Sequence, residues 1–103
     1  MRTAIADTSI DAYRALCASP KLSAQQRRIV SFLTDRAWRA DFTRRELAAC
    51  IGMDLSSVCG RVAELRELGV LEQLPRRRCN VTFESSHPLR LAPTQAELEL
   101  VAA

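Results

Sequence analysis

Apolar residues recur at helical spacing through the first two-thirds of the chain, and the period then changes. Ile10, Tyr13 and Cys17 share one face of a helix predicted from about Thr8 or Ser9 to Ala18, with Pro20 beyond its end. Ile29, Val30, Phe32, Leu33 and Ala37 give a second helix a broad apolar stripe, while Gln25, Arg27, Arg28 and Asp35 face outward. This helix opens at Ser23. Its hydroxyl is spaced to accept the amide of Gln26 while the Gln26 side chain reaches back, which makes a capping box. Thr43-Arg44-Arg45-Glu46 repeats the device and starts a third helix, Arg44 to about Ile51, with Leu47, Ala48 and Ile51 inward. Gly52 ends it in the left-handed conformation that glycine adopts without strain. Asp54 or Ser56 then caps a fourth helix ending at Leu68, which turns Leu55, Val58, Val62, Leu65 and Leu68 inward and stops at Gly69.

Beyond Gly69 two strands are expected, Val70–Leu74 and Cys79–Phe83, the second alternating Cys79, Val81 and Phe83 with Asn80 and Thr82. Pro75, Arg76, Arg77 and Arg78 lie between them as a basic hairpin tip. After His87-Pro88 the chain reads as extended, and Pro93 or Thr94 starts a short last helix carrying Leu98 and Val101. The whole predicts a mainly α fold with a small β-hairpin: an N-terminal helix and linker over 1–22, a central domain over 23–84 and an extension over 85–103.

Composition narrows the function classes. A chain of 103 residues suits a single small core and excludes most two-domain enzymes. No run approaches the roughly 18 apolar residues of a membrane span. Met1 to Ile10 carries Arg2 and Asp7 without an apolar segment, so no signal peptide is expected and the predicted location is cytoplasmic. Fourteen of the fifteen basic residues are Arg, the side chain that forks onto phosphate and guanine. Residues 1–83 hold 14 basic and 9 acidic side chains, whereas residues 84–103 set Arg90 against Glu84, Glu97 and Glu99. A basic body with a mildly acidic tail suits an anionic partner such as nucleic acid. Cys17, Cys50, Cys59 and Cys79 are separated by 33, 9 and 20 residues, contain no Cys-x-x-Cys pair and accompany one histidine, His87. They read as reduced, buried structural thiols, and neither a metal nor a cofactor is expected.

Residues 43–84 carry a recognisable order: the capped Thr43-Arg44-Arg45-Glu46-Leu47-Ala48, the turn Gly52-Met53-Asp54, the helix start Ser56-Ser57-Val58, and Leu65-Arg66-Glu67-Leu68-Gly69-Val70-Leu71 leading into a hairpin. With the preceding helix, roughly residues 23–84 resemble the winged helix-turn-helix of MarR-type bacterial repressors. The resemblance implies a two-stranded wing after the helices, a double-stranded DNA partner and a role as a transcriptional repressor of bacterial or phage type. A recognition helix buries one stripe and offers the other to the major groove. Ser56, Ser57, Gly60 and Arg61 are the residues left for DNA, and Arg61 is able to fork onto guanine O6 and N7. Gly60 costs about 1 kcal/mol of helix propensity against Ala, through either close approach to DNA or packing against a neighbouring helix. Arg44 and Arg45 stand at a helix start suited to phosphate contact, and Arg76, Arg77 and Arg78 suit a minor groove or flanking phosphates. Arg27 and Arg28 read as surface charge, and Trp38 and Tyr13 as core or interface side chains.

No catalytic set stands out. His87 lies in a Ser-Ser-His-Pro loop without a nucleophile partner, and there is no Gly-rich phosphate loop or His-Glu-x-x-His motif, so no enzyme activity is expected. The alternative is a winged-helix docking module from a mobile element that binds a host protein complex, which would lose wing and helix arginines or expose apolar residues instead. Helix-turn-helix proteins read two half-sites, so a homodimer is expected, joined through residues 8–18 and about 94–102.

Overall fold

The computed structural model describes residues 4–36 and 40–93, with side chains from Ile10 onward. Four helices, α1 (Ala4–Ala18), α2 (Ala24–Asp35), α3 (Arg44–Ile51) and α4 (Leu55–Glu67), precede four short strands, β1 (Leu71–Gln73), β2 (Arg77–Arg78), β3 (Ser85–Ser86) and β4 (Leu89–Leu91). The fold is mainly α with a small antiparallel sheet. Ala37, Trp38 and the terminal helix expected from residue 94, with Leu98 and Val101, lie outside the described residues.

Local chemistry sets the helix ends. At α2 the Gln26 amide donates to Ser23 Oγ at 3.2 Å and the Ser23 amide donates to Gln26 Oε1 at 2.8 Å. At α3 the Glu46 amide donates to Thr43 Oγ1 at 3.2 Å, and the Thr43 amide donates to Glu46 Oε1 at 3.0 Å. Gly52 ends α3 at φ 78°, where a Cβ would add strain. Asp54, not Ser56, caps α4. Leu68, expected inward, is 62% exposed. Gly69, at φ 78°, redirects the chain just after it, and the Val70 amide bonds back to Leu65 O at 2.9 Å, so Val70 takes the buried place.

The core joins Ile29, Val30 and Leu33 of α2, Leu47 of α3, Val58, Val62 and Leu65 of α4, and Leu89 and Leu91 of β4. Each of these large aliphatic side chains contributes about 1.5–3 kcal/mol by leaving water. Tyr13 seats α1 against them and donates its hydroxyl towards the carbonyls of Val70 and Ala92. Arg27 and Arg28, expected as plain surface charge, tie elements together. Arg27 donates to the carbonyls of Ser19 and Leu22, and Arg28 to that of Ile51 at 2.8 Å.

The hairpin differs from expectation. β1 pairs antiparallel with β4, Leu71 opposite Leu91 and Gln73 opposite Leu89. β2 pairs with β3, Arg77 opposite Ser86. Bonds from the Leu74 amide to Pro88 O and from the Cys79 amide to Glu84 O extend the two ladders. Pro75 and Arg76 therefore oppose His87 alone, an extra residue of the kind a bulge accommodates, and Pro75 has no amide to continue the ladder. The strand expected at Cys79–Phe83 is instead the end of the hairpin, with a turn at 80–82. The tip is thus Asn80–Phe83; Arg77 and Arg78 lie on the rising strand β2, and Arg76 stands at the bulge before it. The strand that pairs with β1 is instead Leu89-Arg90-Leu91, whose two leucines are buried. Phe42 adds a bridge to Leu89, with reciprocal backbone bonds of 2.9 and 2.8 Å, and packs edge-on against Phe32 at 5.3 Å.

Candidate nucleic-acid interface

The capping box at the start of α3 holds its first turn next to the hairpin. Arg45 is exposed there, and Arg44 is half-buried with Nη2 donating to Gln73 Oε1 at 3.4 Å. Both border a cleft of about 200 Å³ shared with Cys59 of α4 and with Thr82, Glu84 and Ser85 of the hairpin. The α3 start, one flank of α4 and the hairpin thus converge on one surface. Glu84 is the acidic member of that cleft.

Glu46 does more than cap. Its carboxylate, 6% exposed, accepts Arg77 Nη2 at 2.7 Å and Nη1 at 3.0 Å, together with the Asn80 amide at 2.7 Å. Arg77 completes its fork on the Arg78 carbonyl and on the side chain and carbonyl of Asp41. All five of its N–H groups are engaged, which leaves none for a phosphate. The Arg77 hydrogen bonds, opposed by burial and aided by the amides of Asn80 and Thr43, hold the Glu46 carboxyl down to about 2. Glu46 in turn raises Arg77 above the ordinary guanidinium range.

On α4 the expected DNA residues divide. Ser56 is exposed. Ser57 is half-buried and donates its hydroxyl to Asp54 Oδ1 at 2.8 Å, within the cap. The Ser57 amide and hydroxyl hold the Asp54 carboxyl below its usual range. Arg61 turns sideways to α2, with Nη1 donating to Gln25 Oε1 at 3.1 Å and Nε lying 2.7 Å from Glu64. Arg61 first, and Gln26 second, keep Glu64 below the usual carboxylate range. As far as Ala63 the outward face is left with Ser56, Cys59, Gly60 and Ala63, all small and uncharged, and the charged Arg66 and Glu67 are exposed in the last turn. A Cβ at Gly60 would meet no atom of the described residues within 4 Å, so packing among them does not require the glycine.

On the hairpin, Arg76 Nε donates to His87 Nε2 at 3.3 Å. His87 Nδ1 lies 3.0 Å from the Leu74 carbonyl, an arrangement that assigns the proton to Nδ1. Arg78 is exposed, its guanidinium 5.3 Å from the ring centre of Phe83. Val81 and Phe83 project from the tip at 47% and 64% exposure. Cys79 is buried below them with Sγ 3.0 Å from Thr43 Oγ1. Burial opposes its ionisation, but hydrogen bonds from Thr43 and from the amides of Thr82 and Val81 outweigh it and bring the thiol to about 7. Cys50 and Cys59 are exposed and Cys17 half-buried, which corrects the expectation of four buried thiols.

Sequence reasoning missed the Asp41–Glu46–Arg77 cluster and the apolar tip. The signal for the first was two acids just before and within a capping box, upstream of an arginine run. Among the described residues no group of three or more His, Cys, Asp or Glu side chains is gathered to hold a metal ion, and no helix is long and apolar enough to cross a membrane. No protein-family model, curated protein or solved structure matches the chain.

Proposed function

We propose that this chain is a winged helix-turn-helix protein that binds double-stranded DNA and represses transcription by occupying an operator, without chemistry of its own. The observation that carries this reading is the convergence of the α3 start, α4 and the hairpin on one surface bearing Arg44 and Arg45. The element order supports it, since α2, α3, a Gly52 turn, α4 and a long hairpin follow one another and Phe42 bridges to β4. Arg44 and Arg45 are the phosphate contacts at the start of α3, with Arg76 and Arg78 on the wing. Ser56 and Gly60 let the α4 backbone approach a groove floor, and their face reads bases through short contacts and shape more than through a forked Arg.

Fluorescence anisotropy on mixed-sequence duplex DNA across a salt series tests the proposal. Changing Arg44, Arg45, Arg76 and Arg78 to Ala, with Arg77 kept to preserve the fold, is expected to flatten the slope of log K against log salt by about 0.9 for each lost phosphate contact. Binding that is absent at low salt, or unaltered by the four changes, refutes it. Light scattering on the DNA complex tests the homodimer, which a single copy per duplex refutes.

A second reading, a winged-helix module that docks on a protein complex, is favoured by one specific observation. The hairpin tip presents Val81 and Phe83 to solvent. On that reading the four Arg changes leave function intact and the tip residues carry it.

A further inference from the structure

We infer that the hairpin tip is an apolar wedge: Phe83 and Val81, flanked by Arg78, enter the minor groove of duplex DNA, unstack a base step and bend the duplex. The inference rests on the DNA-binding reading above and adds to it a mode of binding.

Phe83 is the one non-glycine described residue with positive φ, at 61°. Left-handed backbone is unfavourable for a bulky residue, and Gly or Asn would occupy the position with less strain. The described residues do not bury it: the ring is 64% exposed with Arg78 over one face, and Val81, two residues away, is 47% exposed. The hairpin loop itself calls for a left-handed residue where it closes after the turn at 80–82, but a Phe there, in place of Gly or Asn, keeps both the strain and an exposed ring, which points to a role for the ring outside the chain.

The tip is also stiffened from below. The Phe83 amide bonds to Cys79 O and the Cys79 amide to Glu84 O, both at 2.9 Å. Glu46 accepts the Asn80 amide at 2.7 Å and grips Arg77, while Cys79 Sγ meets Thr43. A short, braced, two-residue apolar point suits insertion between stacked bases better than a flexible loop does.

Charge selects the partner. Arg78 lies over the Phe83 ring and the exposed Arg76 stands just before its strand, so cations accompany the apolar point as a phosphate-lined groove requires. Glu84 faces the cleft on the Ser85 side, and Asp41 and Glu46, which border the cleft beside Val81, are both paired with Arg77. Apolar wedges of this kind kink DNA by about 20–90°.

The test uses the full chain at saturating concentration on a mixed-sequence duplex with donor and acceptor dyes at its ends and 2-aminopurine at TpA steps, which unstack most readily. The wild type is expected to raise both energy transfer and 2-aminopurine fluorescence, the latter severalfold. Phe83→Gly is expected to fold with an equal or higher Tm, because it relieves the φ strain, and to bind with an unchanged salt slope while losing both signals. Phe83→Leu keeps a wedge and most of the signal. Wild-type binding without either signal overturns the wedge and leaves the DNA reading standing, as does a Phe83→Gly protein that bends DNA like the wild type. Absence of DNA binding at low salt overturns both and turns the tip towards a protein partner.

Discussion

Replacing Glu46 with Gln tests whether one carboxylate organises the candidate interface. The substitution keeps the volume and one acceptor oxygen but turns an NH₂ group towards the donors of Arg77 and Asn80, which the carboxylate now satisfies at 2.7–3.0 Å. Its side chain is 6% exposed, so solvent screens the loss weakly. A carboxyl moved from 4.5 to about 2, at about 1.4 kcal/mol per pH unit, corresponds to about 3 kcal/mol. Breaking a buried pair from one side costs a similar amount. For a chain of this size that lowers Tm by roughly 10–20 °C. The same shift fixes the pH dependence. The folded value is depressed, so the stabilisation is fully present above about pH 4.5 and is lost as the pH falls towards about 2. Urea unfolding of wild type and Glu46→Gln from pH 7 to pH 2 should therefore show a gap of about 3 kcal/mol that closes in acid, since both proteins share every other carboxylate. A gap below about 1 kcal/mol at pH 7, or one that stays constant down to pH 2, refutes the assignment of Glu46 as the anchor of the hairpin.

Gly60→Ala meets no atom within 4 Å. It should raise stability by about 1 kcal/mol in thermal unfolding and, on the proposed function, weaken DNA binding in anisotropy, and a destabilised variant would mean that the glycine is structural. Thiol labelling of the native protein should modify Cys50 and Cys59 quickly and Cys79 only in denaturant, and rapid native labelling of Cys79 would contradict its burial. Tyr13→Phe removes the hydroxyl that bonds to the carbonyls of Val70 and Ala92 and should lose about 1–2 kcal/mol in urea unfolding, with m unchanged. Arg61→Ala should alter stability by less than about 1 kcal/mol and leave the salt slope of DNA binding alone, whereas a slope change would place Arg61 on phosphate.

The helical part of this fold was legible because its determinants are local. Ser23 with Gln26 and Thr43 with Glu46 sit three residues apart, and Gly52 follows the last apolar residue of its helix, so the spacing alone names the cap. The sheet was legible only in half. Cys79, Val81 and Phe83 alternate as a strand would, yet Leu89-Arg90-Leu91 alternates equally well and has the advantage of pairing β1 while filling the core. Choosing between them requires the partner across the hairpin and the break at Pro75, neither of which a period of two contains. The arginines divided for the same reason. Arg76, Arg77 and Arg78 are indistinguishable as a run, but the alternation of a strand and the acids at 41 and 46 turn Arg77 inward and leave its neighbours outward.

That division bears on how the interface is held. Thr43 and Glu46 cap α3, and Glu46 also fixes Arg77 and the Asn80 amide while Thr43 meets Cys79. The helix start that bears Arg44 and Arg45 and the hairpin that bears Arg78 and Phe83 are therefore joined through the same two side chains, not merely adjacent. Two surfaces joined in this way meet a partner without a separate ordering step, which preserves affinity that loose elements lose on binding. It follows that the surface arginines and the brace differ in what they control. Removing Arg44 or Arg45 subtracts a charge and leaves the shape, whereas Glu46→Gln leaves every outward arginine in place and loosens the geometry between them. Unchanged salt dependence with weaker binding is the expected signature of the second change, and a flattened slope that of the first.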